Sequence, residues 1–451
     1  MEATSALARA AALAPLALAA CMSSGTQQYA AQREALEHAE PGGITQADDP
    51  FAGAERLSRE VLISAVLARN PGLGAARAAW QAALARYPQE TALDDPTLSY
   101  AARPRSFGSN EVDAANDFAL SQHFFFPGKR ALRGESALAG AEAAQGELGS
   151  ERVKLGALAS RLLDEYWLAE RALETNVRHA ALLEEAHRVA LASYSAGTGT
   201  QPDVLGAEAE QGTLAQRQRE LEAQRRVVRW RINQLLHREP SSELPAPPAE
   251  LEAPPATGDL DEAALAQRAL ANHPELTAMR ATVRAREAEV ALARREFLPD
   301  FTLRAGYETT WREDPLKPVV AVEINLPVQL ARRRAALAEA AAQLEREQSR
   351  LQQREDRIRV DVATAVERLR ESQGLLEISR QRRVPPARDR VESARAAFAS
   401  GQARFVEFVD AQRGLLAAEQ EEFEVRAALS TRRAALAQAI GESTLSSEER
   451  P

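Results

Sequence analysis

The 451-residue sequence has one cysteine, three methionines, six histidines and only 5% aromatic residues. A lone cysteine, Cys21, excludes an internal disulfide framework. The methionines are Met1, Met22 and Met279, so there is no thioether ladder for copper. Histidines at 38, 123, 179, 187, 237 and 273 are scattered, and none has zinc spacing with the cysteine or with a second histidine one turn away. No glycine loop for phosphate and no catalytic constellation occurs, so the expectation is a protein that is not an enzyme and carries no cofactor or metal. Acids and bases are interspersed around a net charge of −9. Without a long basic run there is no nucleic-acid footprint. A large globular core normally needs more aromatic residues, so extended helix packing is expected instead.

Alanine, arginine, glutamate, leucine and glutamine dominate, which is the composition of long helices. Residues 10–20 read AAALAPLALAA. This run is too short for a spanning helix, which needs about 20 residues. It fits the apolar core of a secretory signal. It ends Leu18-Ala19-Ala20-Cys21, which resembles a bacterial lipobox. That resemblance implies a signal peptide over 1–20 and a lipidated, palmitate-bearing Cys21 at the head of a segment 21–56. Met22, where an inner-membrane lipoprotein would carry Asp, implies sorting to the outer membrane. The charged start of the signal is weak, with Arg9 and an unhelpful Glu2. The plainer reading is an ordinary signal peptide followed by a chance cysteine.

The rest of the chain repeats itself. Ala68-Arg69-Asn70-Pro71-Gly72-Leu73 resembles Ala271-Asn272-His273-Pro274-Glu275-Leu276, with the prolines 203 residues apart. Tyr194-Ser195-Ala196-Gly197 resembles Phe398-Ala399-Ser400-Gly401, with the glycines 204 apart. Phe126-Pro127 and Leu326-Pro327 recur at a spacing of 200. Three matches in one order at nearly one spacing point to a duplication. The copies are expected over 57–238 and 260–441, followed by a tail, 442–451. Between them, 239–259 holds prolines at 240, 245, 247, 248, 254 and 255 and reads as a linker or irregular collar.

Each copy has one plan. An opening helix (57–93, 260–297) leads to a hairpin (within 97–126, 300–327). A very long helix follows (129–194, 331–397), then a glycine turn and a return helix (203–237, 405–440). At 1.5 Å per residue the stretch 129–194 would be about 100 Å long. A return helix and the next opening helix, laid end to end, nearly match it. Pro385-Pro386, inside the second long helix, should kink or break it. In 301–311, Phe301, Leu303, Ala305, Tyr307, Thr309 and Trp311 alternate with Thr302, Arg304, Gly306, Glu308 and Thr310. One face is apolar and the other polar. Val320, Val322, Ile324 and Leu326 continue the pattern, and the first copy's hairpin repeats it less cleanly. Strands of this length suit a tilted outer-membrane strand. Four cannot close a barrel, and open edges cannot face lipid. Three chains would supply twelve strands. The plainer readings are a soluble coiled-coil scaffold and two soluble hairpins packed on helices.

This duplicated plan resembles the TolC-like outer-membrane factors over about residues 57–441. The segment Gln122-His123-Phe124-Phe125-Phe126-Pro127-Gly128-Lys129-Arg130 and the two glycine turns carry the resemblance. Phe-Pro-Gly-Lys-Arg is similar to members serving resistance-nodulation-type pumps, some of which export heavy metals. The resemblance implies a mainly α fold with a long-helix α-barrel and a twelve-stranded membrane β-barrel in a homotrimer. It implies a passive duct reaching from the outer membrane of a Gram-negative bacterium into the periplasm. A periplasmic membrane-fusion adaptor and an inner-membrane transporter would be its partners. The turns at Tyr194 and Gly197 and at Phe398 and Gly401 would be adaptor-docking tips. Asp203, Arg404, Glu407 and Asp410 would surround the entrance, although the family's tip arginine falls on Ala403, with Arg404 beside it. Phe301, Leu303, Tyr307, Trp311, Val320, Val322 and Ile324 would face outer-membrane lipid. Three copies of Asp410 around one axis would form a negative ring that favours cations. The plainer reading of Glu407 and Asp410 is a solvated helix start, where acids suit the positive helix end. Two other functions stay open: the same duct in a type I protein-secretion system, and a structural periplasmic coiled-coil lipoprotein.

Overall fold

The computed structural model describes residues 25–39, 50–51, 53–104, 116–251, 261–309 and 318–442. Cys21, Thr310 and Trp311 lie outside them, as do most of both hairpin loops and residues 252–260 of the proline-rich segment. The chain is mainly helical and carries one small antiparallel sheet. It divides into two compact units. One gathers the described parts of Met1–Glu40, Ala76–Leu148 and Glu275–Arg354. The other gathers those of Pro41–Ala75, Gly149–Pro274 and Glu355–Pro451.

Helix α1 covers 25–38. Helix α2, Arg59–Arg69, starts where the Ser58 hydroxyl accepts the Val61 N–H at 3.3 Å. It stops at Asn70, because Pro71 follows and opens α3, Pro71–Leu84. The same device recurs 203 residues later. Asp261 caps α7, Glu262–Asn272, which stops at His273 before Pro274 opens α8, Pro274–Arg295. Asn70 and His273 have ψ of 121° and 122°, in the extended basin that a following proline imposes. The opening helices are therefore interrupted at these prolines and do not run whole over 57–93 and 260–297. A short α4, Arg86–Thr91, completes the first.

Helix α5, Lys129–Ser195, runs unbroken for 67 residues, and α6, Gln201–Leu235, returns from it. In the second half α9, Leu330–Ile378, passes into a π-helical turn, Ser379–Arg383, then α10, Val384–Ala399. Pro385 and Pro386 lack the N–H groups that the carbonyls of Gln381 and Arg382 would otherwise receive. The interruption expected there takes the form of this wider turn. Helix α11, Phe405–Ile440, closes the chain. The described part of the proline-rich segment packs against α5. Tyr166 donates to the Pro245 carbonyl at 3.3 Å, and Asn233 ties the carbonyls of Pro240 and Ser242 at 3.0 and 2.9 Å.

Strands β1, Thr97–Ala102, β2, Asn116–Phe124, β3, Phe301–Glu308, and β4, Pro318–Ile324, lie in the order β1-β2-β3-β4, all antiparallel. The register sets Leu98 opposite Leu120, Leu120 opposite Ala305, and Ala305 opposite Val320. Side chains alternate along each strand, so this register puts the apolar sets of all four strands on one face.

Candidate functional site

The apolar sheet face is bare. Leu98, Tyr100, Phe118, Leu120, Phe301, Leu303, Tyr307, Val320, Val322 and Ile324 are each at least 37% exposed. Tyr100 packs on Phe118 with centroids 4.8 Å apart, and Phe124 stacks on Phe301 at 5.5 Å. The opposite face is polar and self-paired. Arg304 bridges to Asp117 at 2.6 Å, and Arg103 to Glu308 at 2.7 Å. Among the described residues β1 and β4 each have one strand neighbour, leaving two open edges.

The Phe-Pro-Gly-Lys-Arg segment forms the joint between strand and helix. The Lys129 side chain is 1% exposed. Its ammonium donates to the Leu298 carbonyl at 3.1 Å and to Asp300 at 3.0 Å, and reaches Glu296 at 3.4 Å. Asp300 also accepts the Phe126 N–H at 2.7 Å. Arg130 donates to the Thr91 carbonyl, and Arg295 to that of Pro127. A buried ammonium is tolerable only with such a full set of acceptors.

The two hairpin turns share one backbone. Gly197 and Gly401 both have φ of +74°, in the left-handed region. Gly197 N–H donates to the Tyr194 carbonyl, and Thr198 and Gly199 both donate to Ser193. Displaced by 204 residues, Gly401 donates to Phe398, and Gln402 and Ala403 both donate to Ala397. The returning helices start alike, with Asp203 N–H on the Thr200 carbonyl and Glu407 N–H on that of Arg404.

Their side chains differ. Tyr194 is 47% exposed, whereas Phe398 is half-buried against Phe405 and Phe408, at 5.6 and 6.1 Å. This trio belongs to an apolar cluster with Leu183 of α5, Leu214 of α6, Val391 of α10 and Leu415 of α11. Asp203 accepts the Thr200 hydroxyl at 2.6 Å. Glu407 is exposed and takes Arg404 at 3.4 Å. Asp410 is exposed on the same face of α11 and has no ion pair within 4 Å among the described residues. Arg413, one turn on, is bound by both oxygens of Glu210, at 3.0 and 2.5 Å. The Glu210 hydrogen bond keeps this guanidinium more basic than usual, against the opposing effect of burial and with help from the charges of Glu210 and Asp410.

Two buried polar groups brace the helices above the turns. Glu419 of α11 faces His179 and Arg178 of α5, both at 3.3 Å, and Arg388 of α10 at 3.8 Å. Burial opposes its ionisation, but the His179 hydrogen bond and the charges of Arg178, His179 and Arg388 hold its carboxyl below the usual range. Asp164 accepts from Arg59 at 2.7 Å, Ser430 at 2.9 Å and Thr431 at 3.0 Å. Burial nevertheless pushes this carboxyl up, against the pull of those partners. Sequence reasoning singled out neither Glu419 nor the Glu210–Arg413 pair.

The model of a family described as outer membrane efflux protein matches residues 62–236 and 265–442. No curated protein matches the chain. Three solved structures illustrate its fold. The outer-membrane channel OprN is 20% identical, with 88% of this chain and 95% of that one covered and a TM-score of 0.73. The outer membrane protein VceC of Vibrio cholerae is 18% identical, with 85% and 96% covered and a TM-score of 0.73. CusC, described for conformational changes accompanying folding and transmembrane channel formation, is 17% identical, with 89% and 96% covered and a TM-score of 0.74.

Proposed function

This chain belongs to the outer membrane efflux protein family, and from that premise we propose that it is one protomer of a trimeric, passive outer-membrane duct. The observation that carries the reading is the bare apolar face of a four-stranded sheet with two open edges. Soluble monomers rarely leave an apolar patch beyond a few hundred Å² uncovered. A lipid environment removes that cost but makes unpaired edges intolerable. Three copies, edge to edge, satisfy both conditions with twelve strands. Helix α9 supports the same assembly. None of its residues before Ile358 is buried, although 330–357 is rich in alanine. Neighbouring copies would cover that stretch in a helical barrel.

Lipid on Cys21 would add an anchor at the outer membrane. The turns at Tyr194, Gly197, Phe398 and Gly401 would receive a periplasmic adaptor, and an inner-membrane transporter would supply the energy. Small molecules or metal ions would be the cargo. At the entrance Glu407 is offset by Arg404 and Arg413 is held by Glu210, so Asp410 would carry the uncompensated charge. Three such carboxylates in a narrow throat would favour cations.

The test is which sheet face meets lipid. A charge at the bilayer midplane costs about 2–4 kcal/mol on the lipid side of a barrel. Leu303→Arg with Val322→Arg should abolish membrane assembly, read by detergent-dependent extraction and sedimentation. Thr302→Arg, on the other face, should assemble as the parent does. Equal tolerance of both changes would refute the lipid-facing sheet.

A further inference from the structure

Resting on the reading of the sheet as lipid-facing, we propose that the joints between its strands and the helices bind the phosphodiester of membrane phospholipids, through Arg130, Arg295 and Arg333. The start of β1, the end of β2, the start of β3 and the end of β4 lie at one end of the sheet, where each strand joins a helical element. Four neighbouring joints leave three gaps, and one arginine crosses each. Arg130 of α5 donates to the Thr91 carbonyl of α4 through two nitrogens, at 3.0 and 2.5 Å. Arg295 of α8 donates to the Pro127 carbonyl, between β2 and α5, at 2.6 Å. Arg333 of α9 donates to the Glu296 carbonyl, between α8 and β3, at 2.7 Å. Gly128, with φ of +90°, makes room for the second of these, because a Cβ there would collide with the Arg295 guanidinium.

A carbonyl orients a guanidinium without cancelling its charge. Other arginines pair with carboxylates, as Arg59 does with Asp164 and Arg225 with Glu170. At the joints, Glu296 and Asp300 are taken by Lys129, and Asp94 by His123. Arg130, Arg295 and Arg333 have no carboxylate within 4 Å among the described residues, and neither do Arg332 and Arg334, exposed near the start of α9. A guanidinium has five N–H donors, so each joint arginine keeps at least three for an anion, and its planar fork suits the oxygens of a phosphate. What adjoins the joints selects the kind of anion. Ile324, Leu326, Val328 and Leu330 form an apolar line, each at least 47% exposed, that continues the bare sheet face up to the arginines of α9. A phospholipid meets both features, with acyl chains on the apolar line and phosphate on the guanidinium groups. A free anion would use only the second.

Native mass spectrometry of the full-length protein in detergent counts chains and bound lipids together. Phosphatidylglycerol should stay bound, diacylglycerol should not, and excess inorganic phosphate should leave the phosphatidylglycerol in place. Arg332→Gln with Arg334→Gln removes two charges that hold no carboxylate, and should weaken phosphatidylglycerol binding roughly fivefold per charge. Arg130→Gln, Arg295→Gln and Arg333→Gln together should weaken it further. Arg217→Gln with Arg219→Gln, an equal change of charge on α6, should leave it unaltered. If the triple variant yields no folded protein, the α9 pair and its α6 control decide. Equal retention of phosphatidylglycerol and diacylglycerol, displacement by inorganic phosphate, or equal losses in the α9 and α6 variants overturns the proposal. A parent that retains phosphatidylglycerol yet never conducts refutes the duct alone, and one that conducts without preferring this lipid refutes the site alone.

Discussion

The α5–α6 and α10–α11 hairpins turn through the same hydrogen bonds at the same φ, yet they are built for different work. The first is continuous and exposes Leu191, Tyr194 and Leu205 near its turn. The second is interrupted by a π-turn, tucks three phenylalanines inward and lines its exposed face with Arg404, Glu407, Asp410 and Arg413. The backbone of the turn depends on one glycine and a few main-chain bonds, so it can be kept while the side chains diverge. The first hairpin carries apolar side chains at its exposed tip, and the second carries charged ones.

That contrast is most easily broken at the cluster. Phe408→Ala should cost about 3–5 kcal/mol, the usual range for a buried phenylalanine. Val204 is its equivalent 204 residues earlier, and Val204→Ala should cost only about 1–2 kcal/mol. Denaturant titration of the detergent-solubilised protein measures both, and equal losses would remove the asymmetry. The turns themselves should behave alike. Gly197→Ala and Gly401→Ala meet no neighbouring atom within 4 Å, so each should cost only backbone strain, about 1–2 kcal/mol. Unequal shifts in thermal midpoint would mean that the turns are not equivalent.

Acid should loosen the second hairpin specifically. Glu419 is held below its ordinary value of 4.5. Its stabilising contribution is thus complete above that value and is lost as pH falls through the lowered one. Glu419→Gln should be less stable than the parent at neutral pH and show a flatter acid limb. Parallel curves for the two proteins would contradict this. The smallest effect concerns selectivity. Asp410→Asn should weaken cation preference, seen as a shift in reversal potential.

Much of this architecture was legible in the residue pattern because its periods are long and regular. Alternation in Phe301–Glu308 marked a two-faced strand, and Gly197 and Gly401 marked the turns. Pro71 and Pro274 were visible too, but apolar periodicity continues across them, so the helix breaks at Asn70 and His273 went unread. Pro385-Pro386 announced an interruption without saying that it would be a π-turn. The braces were harder still. His179 and Glu419 meet across 240 residues, and Asp164 meets Thr431 across 267. Each looks like one more surface charge until packing buries it.

By the proposed function, three copies of this chain enclose water through a membrane. Its most direct test is the conductance of the purified, full-length protein in a planar lipid bilayer, with its mass in detergent measured on the same sample. Our account predicts discrete cation-preferring steps from particles of three chains. A monomer that leaves the bilayer silent would contradict it.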